Sequence, residues 1–152
     1  MTLEIKDVPD DIIREEYVKR YTLESGKKLN SSKSVANHLR GYFYKSKTCE
    51  SFVMIYLNSQ YELIETKILF TGTIATAAIY PRELVKSVLI DFPGTAAVII
   101  SHNHPSGSNT PSSPDFTITK KIKTALESID VELLDHIILG TDFYSFADHN
   151  QI

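Results

Sequence analysis

The stretch AAVIISHNHPSGSNTPSSPDF, residues 96–116, carries the change of backbone pattern that sets the architecture. It opens as a short run of small and β-branched apolar residues, the signature of a buried strand. It then passes through His102, Asn103 and His104 into a loop of Pro, Ser, Gly, Asn and Thr ending near Pro111. Ser112, Ser113 and Pro114 signal the start of a helix. The predicted apolar side of that helix is Phe116, Ile118, Ile122, Ala125, Leu126 and Ile129. Two further strands are expected in ELLDHIIL (132–139) and DFYSFAD (142–148). A helix set between buried strands implies an α/β domain with a mixed central β-sheet flanked by helices.

The flanking segments fit that layout. FVMIYLN (52–58) and ELIETKILF (62–70) read as a hairpin, and the nearly continuous apolar character of the first predicts a strand covered on both faces. Pro81 suits the first turn of a helix that turns Leu84, Val85, Val88 and Leu89 inward. Ser31 or Ser32 caps an earlier helix with Val35, Ala36, Leu39 and Phe43 as its apolar positions. Residues 25–28 read as a turn. Residues 1–14 read as a loosely held arm, and 16–23 as a strand with Tyr17, Lys19, Tyr21 and Leu23 on one side; the competing reading there is a short helix presenting Ile12, Ile13 and Tyr17. The expected division is an arm and edge strand over 1–28 and a single domain over 29–152.

The chain has 152 residues, which suits one domain of about 100–200 residues. With 16 basic and 19 acidic residues the net charge is -3, so binding driven by general phosphate attraction is disfavoured. The single cysteine, Cys49, excludes an internal disulfide and a thiolate zinc site. The acidic start lacks a leader pattern, and no apolar run is long enough for a membrane span; a cytoplasmic protein with no membrane partner is expected.

The chemistry concentrates where the quoted strand ends. Alternate side chains of a strand point the same way, so His102 and His104 converge on one region. Taken alone, such a pair is more often structural than metal-binding, and a Ser-Ser-Pro-Asp run is usually just a helix N-terminus. Together they are more specific. Asp115, in the first helical turn, can supply a carboxylate as third ligand. Two His and one carboxylate with a fourth position open is a catalytic zinc pattern, in which bound water is acidified toward a pKa of about 7. A nearby carboxylate would act as general base, and Ser112 can donate a hydrogen bond to an oxyanion.

HNHPSG (102–107) followed by PSSPD (111–115) resembles the His-x-His-Pro…Ser-x-x-Asp motif of JAMM/MPN+ metalloproteases, and within them the RadC-like JAB-domain proteins. ESFVMIYLN, LFTGTI, YPRELVKSVL, LLDHIILG and YSFAD follow in the order expected for that branch, from about residue 29 to the end. The resemblance implies a JAB/MPN-like fold with a zinc site at a strand end. It implies His102, His104 and Asp115 as ligands to one Zn2+, Ser112 as oxyanion support and Glu50 as catalytic general base. The implied activity is zinc-dependent hydrolysis of an amide or isopeptide bond in a peptide or isopeptide-linked protein substrate. The alternative is a DNA-repair or DNA-metabolism accessory protein, or a nuclease, with DNA or a repair protein as partner. Longer RadC proteins carry a helix-hairpin-helix-like region, which a chain of 152 residues is expected to be too short to include, and Tyr80 stands where a His is usual.

Other residues read as bland. His136 is expected to be a structural hydrogen-bonded residue, His38 a polar-face residue and His149 a tail residue. Lys45, Lys47, Lys120, Lys121 and Lys123 read as solvated charges. Cys49 lacks a paired base and is not read as a nucleophile. The tripeptide His-Asn-His is not the dispersed motif of HNH nucleases, and a zinc deaminase would need Pro-Cys-x-x-Cys.

Overall fold

The computed structural model describes residues 4–43, 48–72 and 79–152. A single helical turn at Ile5–Asp7 precedes α1 (Asp10–Tyr21) and α2 (Ser32–Phe43). There follow β1 (Glu50–Leu57), β2 (Leu63–Gly72), α3 (Pro81–Lys86), β3 (Ala97–Asn103), α4 (Ser113–Glu127), β4 (Glu132–Leu139) and β5 (Phe143–Ser145). The five strands form one mixed sheet in the order β2-β1-β3-β4-β5. Only β3 and β4 run parallel, because α4 carries the chain back across the sheet between them.

Strand alternation divides the core in two. On one face Phe52, Met54, Tyr56, Val98 and Ile100 pack with Leu84 and Val88 and with Ile118, Ile122 and Leu126 of α4. On the other, Val53, Ile55, Leu57, Ala97, Ile99 and Ile137 pack with Val35, Ala36, Leu39 and Phe43 of α2. This is why β1 is apolar almost without interruption: every residue from Ser51 to Leu57 is buried. Ser31 caps α2, its Oγ accepting the Ser34 N–H at 3.1 Å.

Four expectations are corrected. Residues 16–23 do not form an edge strand: α1 covers 10–21, and the described arm meets the sheet through the isolated bridge Lys28↔Glu62. The alternation was misleading because spacing by four also holds. The Tyr17 and Tyr21 rings meet with centroids 4.7 Å apart and planes tilted by 34°, and Glu16 accepts from Arg20 at 2.6 Å. Leu89 is turned outward and 55% exposed, because the helix after Lys86 widens into one π turn, Ser87–Asp91, which buries Ser87 and Val88 instead. Phe116 is likewise 42% exposed, its ring resting on Phe146 at 5.1 Å rather than in the core. His38 is not on a polar face but fully buried. It accepts the Leu23 N–H at Nδ1 (2.9 Å) and meets Thr66 Oγ1 through Nε2 (2.8 Å). Lys45 and Lys47 lie outside the described residues.

Candidate metal centre

The end of β3 puts His102 and Asn103 on opposite faces, and the chain then leaves the sheet at His104. The His104 N–H still donates to the Leu139 carbonyl of β4 at 2.7 Å, so the second histidine stays tied to the sheet. The loop beyond is folded back on the β4–β5 turn. Gly107 turns with φ +87°, its N–H donating to the His104 carbonyl at 3.0 Å, while its own carbonyl receives the Thr141 N–H at 2.8 Å. Gly140 is required by this close approach. A Cβ there would collide with the Gly107 carbonyl oxygen and come within 2.7 Å of the Ser108 carbonyl.

Asp115 arrives from the other side, at the third position of α4. It forms a capping box with Ser112: Asp115 Oδ2 accepts the Ser112 N–H at 2.8 Å and Ser112 Oγ accepts the Asp115 N–H at 3.3 Å. Capping and site duty coexist, since the same carboxylate lies 3.2 Å (Oδ1) from His102 Nε2 and 3.7 Å (Oδ2) from His104 Nε2. The two Nε2 atoms are 3.0 Å apart. Candidate ligand atoms of all three residues lie within 4.8 Å of one another, and among the described residues this is the one cluster of three such groups. Burial pushes the Asp115 carboxyl up, but the His102 ring and the hydrogen bonds to Ser112 outweigh it and hold the group well below the usual carboxylate range.

The donor set fits a divalent ion. The Ser108 carbonyl can only accept, so His104 Nδ1, 2.9 Å away, must donate to it. A neutral His104 therefore presents a lone pair at Nε2, next to an ionised carboxylate and a second imidazole. Several bare donors facing one another in a half-buried corner repel unless a proton or a metal cation lies between them. Separations of 3.0–3.7 Å suit an ion that takes each donor at about 2.0–2.1 Å.

The remaining site residues fall nearby to different degrees. Glu50 opens β1 and pairs with Gly72; it lies two residues before Phe52, which pairs with His102, and so shares the sheet face of Phe52. Ser112 is exposed, and with its lone pair engaged by Asp115 its hydroxyl proton remains available to donate outward. Tyr80 precedes α3, half-exposed, with the Arg82 guanidinium over its ring at 4.6 Å. His149 accepts a bland role, bonded through Nδ1 to the Ser145 carbonyl at 2.8 Å and stacked on Tyr144.

Two neighbours of the site escape sequence reasoning. Asn103, between the two histidines, accepts the Ser51 N–H at 2.7 Å and donates to the Cys49 carbonyl at 3.2 Å, clamping the backbone on both sides of Glu50. Thr119, one turn beyond Asp115, lies 2.6 Å from His136 Nδ1. His136 is fully buried and stacked on Phe146; its Nε2 lies 2.8 Å from His102 Nδ1. Burial first, then the His102 ring, push it well below the ordinary histidine range. Strand alternation pairs Asn103 with neither histidine, and Thr119 looks like an ordinary helix residue. Only the cross-strand register and the docking of α4 reveal them.

An α/β domain with a mixed five-stranded sheet and a His-x-His…Asp cluster at a strand end is a JAB-like architecture. The chain belongs to the family of the RadC-like JAB domain, which matches residues 29–151. It is similar to UPF0758 protein YfjY of Escherichia coli strain K12, 48% identical over 101 residues, covering 66% of this chain and 62% of that protein. A UPF0758 protein of Vibrio cholerae is 38% identical over 138 residues, covering 91% of this chain and 82% of its own length. UPF0758 protein MADE_1000235 of Alteromonas mediterranea is 50% identical over 99 residues, 64% of this chain and 43% of that protein. The first of these matches thus spans less than two thirds of the relative's length. No helix among the described residues is long and apolar enough to cross a membrane.

Proposed function

We propose that this domain is a metal-dependent hydrolase of the JAMM type, with His102, His104 and Asp115 holding one Zn2+. The observation that carries the reading is the convergence of His102 Nε2, His104 Nε2 and the Asp115 carboxylate at one strand end; the pairing of Phe52 with His102, two residues after Glu50, supports Glu50 as its general base. Zinc held there supplies Lewis-acid polarisation of a carbonyl and acidification of water. Glu50 takes the proton of the attacking water and returns it to the leaving amine. Ser112 donates its hydroxyl to the developing oxyanion, while its N–H fixes the Asp115 carboxylate. Asn103 keeps Glu50 in place through the backbone on either side. The proposed bond is an amide or isopeptide in a protein or peptide substrate.

Elemental analysis should find about one zinc per chain. Peptide, isopeptide-linked and DNA substrates are then compared between the wild type and Glu50→Gln. The expected result is amide or isopeptide cleavage that falls at least ~100-fold in Glu50→Gln with zinc retained. Folded protein that takes up no metal overturns the reading, as does cleavage unaffected by Glu50→Gln. DNA cleavage or binding without amide hydrolysis would transfer the site to the DNA-metabolism reading.

A further inference from the structure

We propose that Thr119 and His136 are positioning residues that fix the tautomer of His102, through a one-way hydrogen-bond chain ending on the main-chain carbonyl of Asp115. The inference rests on the metal reading of the same site and adds how one of its ligands is kept ready.

The direction follows from proton counting. Thr119 Oγ1 lies 2.6 Å from the Asp115 carbonyl oxygen and 2.6 Å from His136 Nδ1. A carbonyl only accepts, and two oxygens that close require a proton between them. The hydroxyl has one proton, so Thr119 donates to Asp115. Its oxygen then has only acceptor capacity for His136, and His136 Nδ1–H must donate to it. A neutral imidazole has one N–H. With a phenyl ring stacked on one face, the buried His136 ring bonds only the Thr119 hydroxyl and a second imidazole, and in its neutral form that one N–H is at Nδ1. Its Nε2 is therefore an acceptor, 2.8 Å from His102 Nδ1, and His102 must donate. In neutral His102 that leaves the lone pair at Nε2, the atom that faces Asp115 and His104.

All three side chains are buried, so water does not compete for any link. The chain begins on one proposed ligand and ends on the backbone of another, and it ties β3, β4 and α4 together. His104 reaches the same tautomer by a different device, the loop carbonyl of Ser108. Outer hydrogen bonds of this kind orient metal-binding imidazoles, and their loss typically weakens metal binding ten- to a hundredfold.

The test combines Thr119→Val, which keeps the shape and removes the hydroxyl, with Thr119→Ser, which restores it. Long-range 1H–15N correlation spectra of metal-free protein read the imidazole tautomers, and competition with a chromophoric chelator reads zinc affinity. Wild type should show His102 and His136 protonated at Nδ1. Thr119→Val should bind zinc ten- to a hundredfold more weakly while remaining folded, and Thr119→Ser should stay within about threefold of wild type. Protonation of His136 at Nε2 in the wild type overturns the proposal, as does wild-type zinc affinity in Thr119→Val. Should Thr119→Val fail to fold, the wild-type spectra and Thr119→Ser still decide. A wild type that takes up no zinc sinks the metal reading; the tautomer spectra of metal-free protein judge the chain independently.

Discussion

At the scale of single residues, Gly140 matters as much as the charged groups. It has no side chain to offer, yet the loop holding His104 rests directly on it. The Ser108 carbonyl, 2.7 Å from where a Cβ would sit, is the group that receives the His104 Nδ1–H. Gly140→Ala therefore pushes on the acceptor that sets a proposed ligand. Crowding of this kind costs about 1–3 kcal/mol, or roughly 2–12 °C in melting temperature for a chain this long. We expect zinc affinity to fall at least tenfold alongside that loss. Thermal unfolding and metal competition on the variant check both; a variant with wild-type affinity would show that the loop accommodates the methyl without moving His104.

Between elements, His38 performs a docking task that its neighbours in sequence conceal. It joins α2 to β2 through Thr66 and anchors the segment after α1 through the Leu23 N–H. Burial pushes its pKa down to about 4 from 6.5. Between those values the unfolded chain binds a proton that the folded one refuses. Its contribution is therefore fully present above about pH 6.5 and is lost progressively as pH falls toward 4, amounting to at most ~3 kcal/mol. Urea unfolding of wild type and His38→Gln across pH 7 to 4 should show a steeper fall for wild type; equal slopes would remove His38 as the cause. The same residue shows what the sequence could and could not reveal. The hairpin, β3, β4, α4 and the triad His102, His104 and Asp115 were legible because apolar periodicity, capping residues and ligand spacing are local signals. His38 and Leu89 were not, and α1 only as the competing helix reading, because each depends on something outside its own window. His38 depends on which element α2 packs against, Leu89 on one π turn, and α1 on a period of four that coexists with a period of two.

For the molecule as a whole, the proposed ligands link the end of β3, the loop after it and the start of α4. An ion held there should stabilise the native state by mass action. Free zinc at about 100 times its dissociation constant adds about 2.7 kcal/mol, which is roughly 5–11 °C in melting temperature. Amide exchange should slow most over 102–119 and hardly at all over 10–21, because α1 contributes no buried residue and no proposed ligand. Hydrogen exchange with zinc and with a chelator measures this; protection spread evenly over both regions would count against a local site.

The candidate ligands all come from one stretch of 14 residues, 102–115, whereas Glu50 comes from a different strand and is tied to that stretch through the side chain of Asn103. In evolutionary terms, the two duties of the proposed centre are inherited on separate pieces of chain. On the proposed function, a lineage that lost Glu50 would give up turnover in a single substitution, yet would keep the fold and the His102, His104 and Asp115 cluster. Selection on such a descendant would act on holding a metal or a partner rather than on cutting a bond, and its sequence would still carry the full His-x-His-Pro…Ser-x-x-Asp signature.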